Sequence, residues 1–241
     1  MPGGPLYRDQ GVVLRTIKLG EADRIVSFVT QGHGKVRAVA KGVRKTKSRF
    51  GGRLEPITHV SLLLYEGREL DIVTQAETLD HFRTIREDLD RVSRATSLLE
   101  AVDQVAQERE PNVRLYQMLV GALRALAANN APVLVGAFFW KLLSLEGAHP
   151  LLDQCASCGR PDGLEAFDLL EGGALCRDCR RGLPVSPAGL DLLRRILGGG
   201  LADALGQPPG PATHEVEHLA AHSLEQHLER RLRSLHVLDR S

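Results

Sequence analysis

Gly34-Lys35-Val36-Arg37-Ala38-Val39-Ala40-Lys41 is the stretch on which the fold turns. In an extended chain successive side chains point to opposite faces, so Lys35, Arg37 and Lys41 share one face, with Val36, Ala38 and Ala40 on the other. One face is apolar enough to enter a core, and the other is a row of cations. Similar β-branched-rich runs lie at residues 10–18, 24–31, 57–66 and 70–78, separated by Gly-containing turns such as Gly32-His33-Gly34 and Glu66-Gly67-Arg68-Glu69. Five short strands in this space predict a small barrel, and an oligonucleotide-binding (OB) barrel and an SH3-like barrel fit the pattern equally.

Beyond Asp80 the period changes. Ile85, Leu89, Val92, Leu98, Leu99, Val102 and Val105 recur at helical spacing until Pro111, and residues 115–128 and 133–145 continue as helices. Residues from about 149 to 182 break the pattern with Pro, Gly and Cys. Helix resumes over 187–197, stops at Gly198-Gly199-Gly200, and after a Pro/Gly loop a last helix is predicted from Thr213, its expected N-cap, to about residue 235. The predicted organisation is α+β, with a barrel domain over 1–80 and an α-helical domain over 81–241 that carries a cysteine-bearing insert at about 149–182.

A chain of 241 residues that is 43% hydrophobic and 25% charged can bury a core of ordinary globular size. Residues 1–10 lack the cationic start and apolar run of a secretory signal, so a cytoplasmic location is expected. The longest uncharged apolar stretch, 131–140, is far shorter than the roughly 20 residues that cross a bilayer, so no membrane segment is expected. The net charge of +1 conceals a strong asymmetry. Residues 1–54 hold twelve Lys/Arg against three acidic residues, and residues 55–110 hold six against thirteen. Such a contrast points to a polyanionic partner for the basic part. The acidic part reads as solvated helix faces, or as a dock for the basic loop of another chain.

All four cysteines fall in one segment, as Cys155-Ala-Ser-Cys158 and Cys176-Arg-Asp-Cys179. Two tight pairs of this kind supply four thiolates to one tetrahedral zinc ion. Gly159, Pro161 and Gly172-Gly173 provide the sharp turns of such knuckles. Two disulfides would suit an oxidising compartment, and a redox dithiol normally occurs as a single Cys-x-x-Cys, so one structural Zn2+ held by Cys155, Cys158, Cys176 and Cys179 is the expectation. Four thiolates fill the coordination sphere and leave no place for a reacting water.

His214-Glu215-Val216-Glu217-His218 matches the H-E-x-x-H pattern of zinc proteases. At 100° per residue, however, His214, His218 and His222 lie opposite the apolar stripe of Val216, Leu219, Ala220, Leu224 and Leu228, so a solvated face is expected there. No other nucleophile constellation and no phosphate-binding glycine loop occurs, and the chain is not expected to be an enzyme.

From residue 31 to 54 there are eight Lys/Arg and no Asp or Glu. Arg44, Lys45, Lys47, Arg49 and Arg53 prolong the cation row of Lys35, Arg37 and Lys41 through a Gly-flanked loop suited to a phosphate backbone. Aromatic residues are few, with Phe28, Phe50, Tyr65 and Phe82 the nearby ones, so electrostatic and sequence-tolerant binding is expected rather than base stacking.

Several motifs give this chain its resemblance to a known family: Leu19-Gly20-Glu21-Ala22-Asp23-Arg24-Ile25-Val26, His33-Gly34-Lys35, Ala40-Lys41-Gly42-Val43-Arg44 and Ser48-Arg49-Phe50-Gly51-Gly52-Arg53-Leu54-Glu55-Pro56. Gly147-Ala148-His149-Pro150 before Cys155 and Leu183-Pro184-Val185-Ser186-Pro187 after Cys179 extend the pattern. In these motifs, nearly end to end, the sequence resembles the bacterial RecO recombination mediators. Some members of that family have lost the cysteines, whereas this chain keeps all four. The resemblance implies an N-terminal OB-fold barrel and binding of single- and double-stranded DNA. It further implies annealing of complementary strands, and loading of RecA, together with RecR, onto strands coated by single-strand-binding protein. By position it places Lys35, Arg37, Lys41, Arg44, Lys45, Lys47, Arg49 and Arg53 in the DNA-binding barrel region. The residues alone leave open an RNA-binding or ribosome-associated zinc protein, which the same cation row and knuckles would serve, and a zinc hydrolase built on His214 and His218.

Overall fold

The structure is a computed structural model that describes residues 4–234. It divides into two compact units, Met1–Ala128 and Asn129–Ser241.

In the first unit β1 (Leu6–Leu19), β2 (Asp23–Thr30), β3 (Gly34–Ala40), β4 (His59–Tyr65) and β5 (Asp71–Asp80) close a barrel in the order β1-β2-β3-β5-β4. β4 returns to β1, and β3 meets β5 in parallel at Ala38↔Asp71 and Val39↔Ile72. The interchange of β4 and β5 makes a Greek key, the connectivity of the five-stranded OB barrel. The alternation in β3 puts Val36, Ala38 and Ala40 into a core with Val26, Phe28, Val60, Leu62, Leu64 and Val73. Phe50 and Leu54 enter the same core, the latter from a single 3-10 turn over Gly51–Leu54, so the basic loop is anchored at its far end.

The first half of β3 lies beyond the reach of β5. There the chain that follows the second helix of this unit is laid along it instead: the Lys35 amide donates to the Gln107 carbonyl (3.0 Å) and the Arg109 amide to the Lys35 carbonyl (3.1 Å). Coverage of this kind removes an unpaired strand edge. It also explains Gly34, which has φ +65° and whose missing Cβ would lie 2.0 Å from the Glu110 carbonyl oxygen. A Gly34→Ala variant is therefore expected to lose at least about 2 kcal/mol of stability, from left-handed strain together with the backbone collision. Thermal unfolding of the variant measures that loss.

α1 (Arg83–Arg86), α2 (Leu89–Val105) and α3 (Val113–Ala128) belong to the same unit as the barrel. The single helical run expected over 85–105 is broken because Asp88 is extended and its side chain accepts from the Arg91 amide, capping α2. β4 meets α3 through His59, whose Nε2 lies 2.7 Å from the Tyr116 hydroxyl. Burial, reinforced by the nearby Arg124 cation, lowers the His59 pKa below its ordinary 6.5. The neutral ring is thus favoured in the folded state, and the stability it contributes is complete above pH 6.5 and declines as the pH falls from there towards the lowered folded value. A His59→Gln variant should show a flatter dependence of Tm on pH in that window than the parent.

In the second unit α4 (Leu134–Leu145) is buried over nearly its whole length and packs against α5 (Pro187–Leu197) and α7 (Pro211–His227). Trp140 Nε1 donates to the Val216 carbonyl of α7 at 3.2 Å. A short α6 (Leu201–Leu205) occupies part of the segment read from sequence as loop. α7 starts earlier than expected: its N-cap is Gly210, whose amide donates to the Thr213 hydroxyl at 2.9 Å, so Thr213 sits in the first turn and is not the cap. The helix ends at His227, and residue 235, the expected end, lies outside the described residues. The cysteine segment is more regular than its composition suggests. It carries β6 (Leu164–Asp168), β7 (Gly173–Cys176) and β8 (Leu183–Pro184) in a sheet of order β7-β6-β8. No described helix is long and apolar enough to cross a membrane.

Candidate metal centre and nucleic-acid interface

Cys176 closes β7, Cys179 follows in a turn, and Cys155 and Cys158 occupy a second turn. The Cys155 amide donates to the Arg160 carbonyl (2.7 Å) and the Gly159 amide to the Cys155 carbonyl (2.8 Å), with Gly159 at φ +75°. This tight turn points both of its sulfurs the same way. The four Sγ atoms lie within 4.8 Å of one another, and Cys158 Sγ is 3.7 Å from Cys176 Sγ. A tetrahedron with metal–sulfur bonds of about 2.3 Å has edges of about 3.8 Å, whereas a disulfide needs about 2.05 Å. The four cysteines are free thiols in the geometry of a metal site. Backbone amides, that of Cys176 foremost and then those of Cys158 and Ser157, lower the Cys155 pKa to about 6. The neighbouring sulfurs of Cys158 and Cys176 push Cys179 up to about 12. A divalent cation that replaces the thiol protons satisfies all four sulfurs at once. Arg160 and Asp178 pair across the two turns.

The H-E-x-x-H residues are arranged differently. His214 and His218 are exposed on α7, as is His222, while Val216, Leu219, Ala220 and Leu224 are buried. Glu215 accepts from both the amide and the hydroxyl of Ser186 at the start of α5, so its carboxylate is occupied. Among the described residues, the four cysteines are the one group of three or more His, Cys, Asp or Glu side chains close enough to hold an ion.

The basic segment is split by its surroundings. Lys35 Nζ is 2.7 Å from Asp103 Oδ1 and bonds the Asp103 carbonyl as well, and the side chain is only 12% exposed. Arg15 Nε reaches the other oxygen of the same carboxylate at 2.7 Å, and Arg37 lies 3.4 Å from Glu108. The start of the cation row is thus neutralised by the end of α2 and the chain after it. Lys41, Arg44, Lys45, Lys47, Arg49 and Arg53 are all exposed, and among the described residues none is paired with a carboxylate. Arg49 lies over the Phe50 ring at 4.7 Å, and Arg53 donates to the carbonyls of Arg49 (2.8 Å) and Phe50 (3.3 Å), which fixes this end of the loop on its buried anchor.

Asp103 and Glu108 are the residues that sequence reasoning missed. Their partners lie 68 or more residues away along the chain, and no local pattern marks them. Much of the acidic excess of 55–110 is used in the same way, within the unit: Glu55 pairs with Arg24, and the buried Asp71 takes hydrogen bonds from Tyr7 and Arg109.

Two family models match the chain. Residues 2–82 match the one described as Recombination protein O N terminal, and residues 86–236 the one described as Recombination protein O C terminal.

Proposed function

From the membership of this chain in the recombination protein O family, a family of DNA recombination and repair mediators, we propose that it binds DNA through the loop of residues 41–53. On this reading the chain takes up single and double strands, anneals complementary strands and, with RecR, helps to load RecA onto strands coated by single-strand-binding protein. It performs no covalent chemistry of its own, and works in the cytoplasm at the nucleoid.

The observation that carries the reading is the set of six exposed cations, Lys41, Arg44, Lys45, Lys47, Arg49 and Arg53, on a loop whose end is anchored in the barrel core by Phe50 and Leu54. Cations without carboxylate partners repel one another, and phosphates relieve that repulsion while their condensed counterions are released. Contacts to phosphate carry no sequence information, which suits a protein that must accept any strand. Neutralised phosphates also repel a second strand less, so the same surface favours pairing. Lys35 and Arg37 belong to this field, but Lys35 is largely buried against Asp103 and Arg37 already has a carboxylate partner in Glu108. Residues 1–80 form the DNA-binding domain in this proposal. One Zn2+ held by Cys155, Cys158, Cys176 and Cys179 has a structural role, since four thiolates leave no open coordination position.

Annealing of complementary oligonucleotides by the full chain tests the reading. Pairing should be faster with the protein than without it, and binding should not favour RNA over DNA of the same sequence. Unchanged annealing, or a clear preference for RNA, would oppose it and favour an RNA-binding role, for which the 2′-hydroxyl would be the recognised group.

A further inference from the structure

The exposed histidines of α7 take no part in either site described above. His218 and His222 are four residues apart, which places them one above the other on one helix face. Their ring centroids are 4.2 Å apart with an interplanar angle of 43°. Both side chains are exposed. His222 Nδ1 lies 2.9 Å from the His218 carbonyl oxygen. A ring nitrogen facing a carbonyl carries the proton, so the Nε2 lone pair of His222 is left to bind a metal, and the ring is oriented by the same hydrogen bond.

We infer that His218 and His222 form a second metal site, an open two-imidazole chelate on the surface of α7 that takes a divalent transition ion of the zinc, nickel or copper kind. Imidazole suits these ions, and among them affinity should be greatest for Cu2+. The two histidines hold the ion across one helical turn, and water fills its other positions, so it exchanges readily, unlike an ion enclosed by four thiolates. This pair is not that of the H-E-x-x-H pattern. It uses His222 in place of His214, and Glu215 stays committed to Ser186. The site is therefore a binding site without a catalytic base. It is independent of the DNA-binding reading, because it lies in the other compact unit.

The test uses the full chain, free of any histidine tag, with zinc retained at the thiols. Equilibrium dialysis against Ni2+, with elemental analysis of the same samples, should find one Ni2+ per chain and an unchanged zinc content. His218→Gln and His222→Gln should each weaken Ni2+ binding roughly ten-fold or more, while His214→Gln should leave it unaltered. Glutamine is a good helix former and all three positions are exposed, so helix content by circular dichroism should be the same in every variant. With Cu2+, electron paramagnetic resonance should show coupling to two nitrogens in the parent and fewer in the two affected variants. Absence of a second equivalent in the parent, unchanged binding in both variants, or an equal loss in His214→Gln would each overturn the assignment.

Discussion

The double variant Cys155→Ser, Cys158→Ser is expected to lose its metal and, with it, the ordered structure of the segment that bears β6, β7 and β8. Those strands are five, four and two residues long, too short to hold a sheet by themselves. A structural zinc site supplies on the order of 10 kcal/mol or more, comparable with the entire stability of a domain, so nothing else in so small a segment replaces it. The effect should spread. Phe167 of β6 meets Trp140 of α4 edge to face, with centroids 5.5 Å apart, and both are almost fully buried. Trp140 is the only tryptophan of the chain, so its emission reports on this contact directly. The parent should contain one zinc per chain at the thiols. In the variant, or in the parent after removal of metal by a strong chelator, that zinc should be gone and the Trp140 emission shifted to the red. Emission unchanged after loss of the metal would mean that the sheet holds without it.

The second large effect concerns the loop. Lys41, Lys45 and Lys47 are exposed and lack ion-pair partners among the described residues. Replacement of all three by alanine should lower affinity for a single-stranded oligonucleotide by about one to two orders of magnitude at low salt, with Tm nearly unchanged. Lys35→Ala combined with Arg37→Ala should do the reverse. Its cost falls on stability, because the Asp103 carboxylate, 11% exposed, loses one of its two cations, while affinity changes little. Unequal response of the two groups distinguishes a phosphate-binding loop from a general effect of net charge.

Much of this was legible in the sequence. Strand alternation around Val36, Ala38 and Ala40 is a local property, and five such strands with glycine turns implied a barrel. The order β1-β2-β3-β5-β4, which separates the OB barrel from an SH3-like one, depends on pairings between distant residues and was out of reach of periodicity. The cysteine spacing was sufficient to gather four sulfurs. The little sheet around them was not visible, because a two-residue strand has no alternation to read. In the cation row, alternation correctly put Lys35 and Arg37 on the outer face of β3, yet there Lys35 is largely buried against Asp103 and Arg37 is paired with Glu108. Residue spacing along one strand carries no information about a chain segment that returns some 70 residues later. Similarly, Thr213 is a residue type that caps helices, but Pro211, suited to the first helical position, lets α7 begin a turn sooner.

The salt dependence of single-stranded DNA binding tests the assignment of the loop most directly. A fluorescent mixed-sequence oligonucleotide would be titrated with the parent and with the Lys41, Lys45, Lys47 to alanine variant at several salt concentrations. With six cations on phosphates, log affinity should fall against log salt with a slope of roughly −4 for the parent and roughly −2 for the variant. Equal slopes, or a parent that binds without salt dependence, would contradict the assignment and remove DNA from the 41–53 loop.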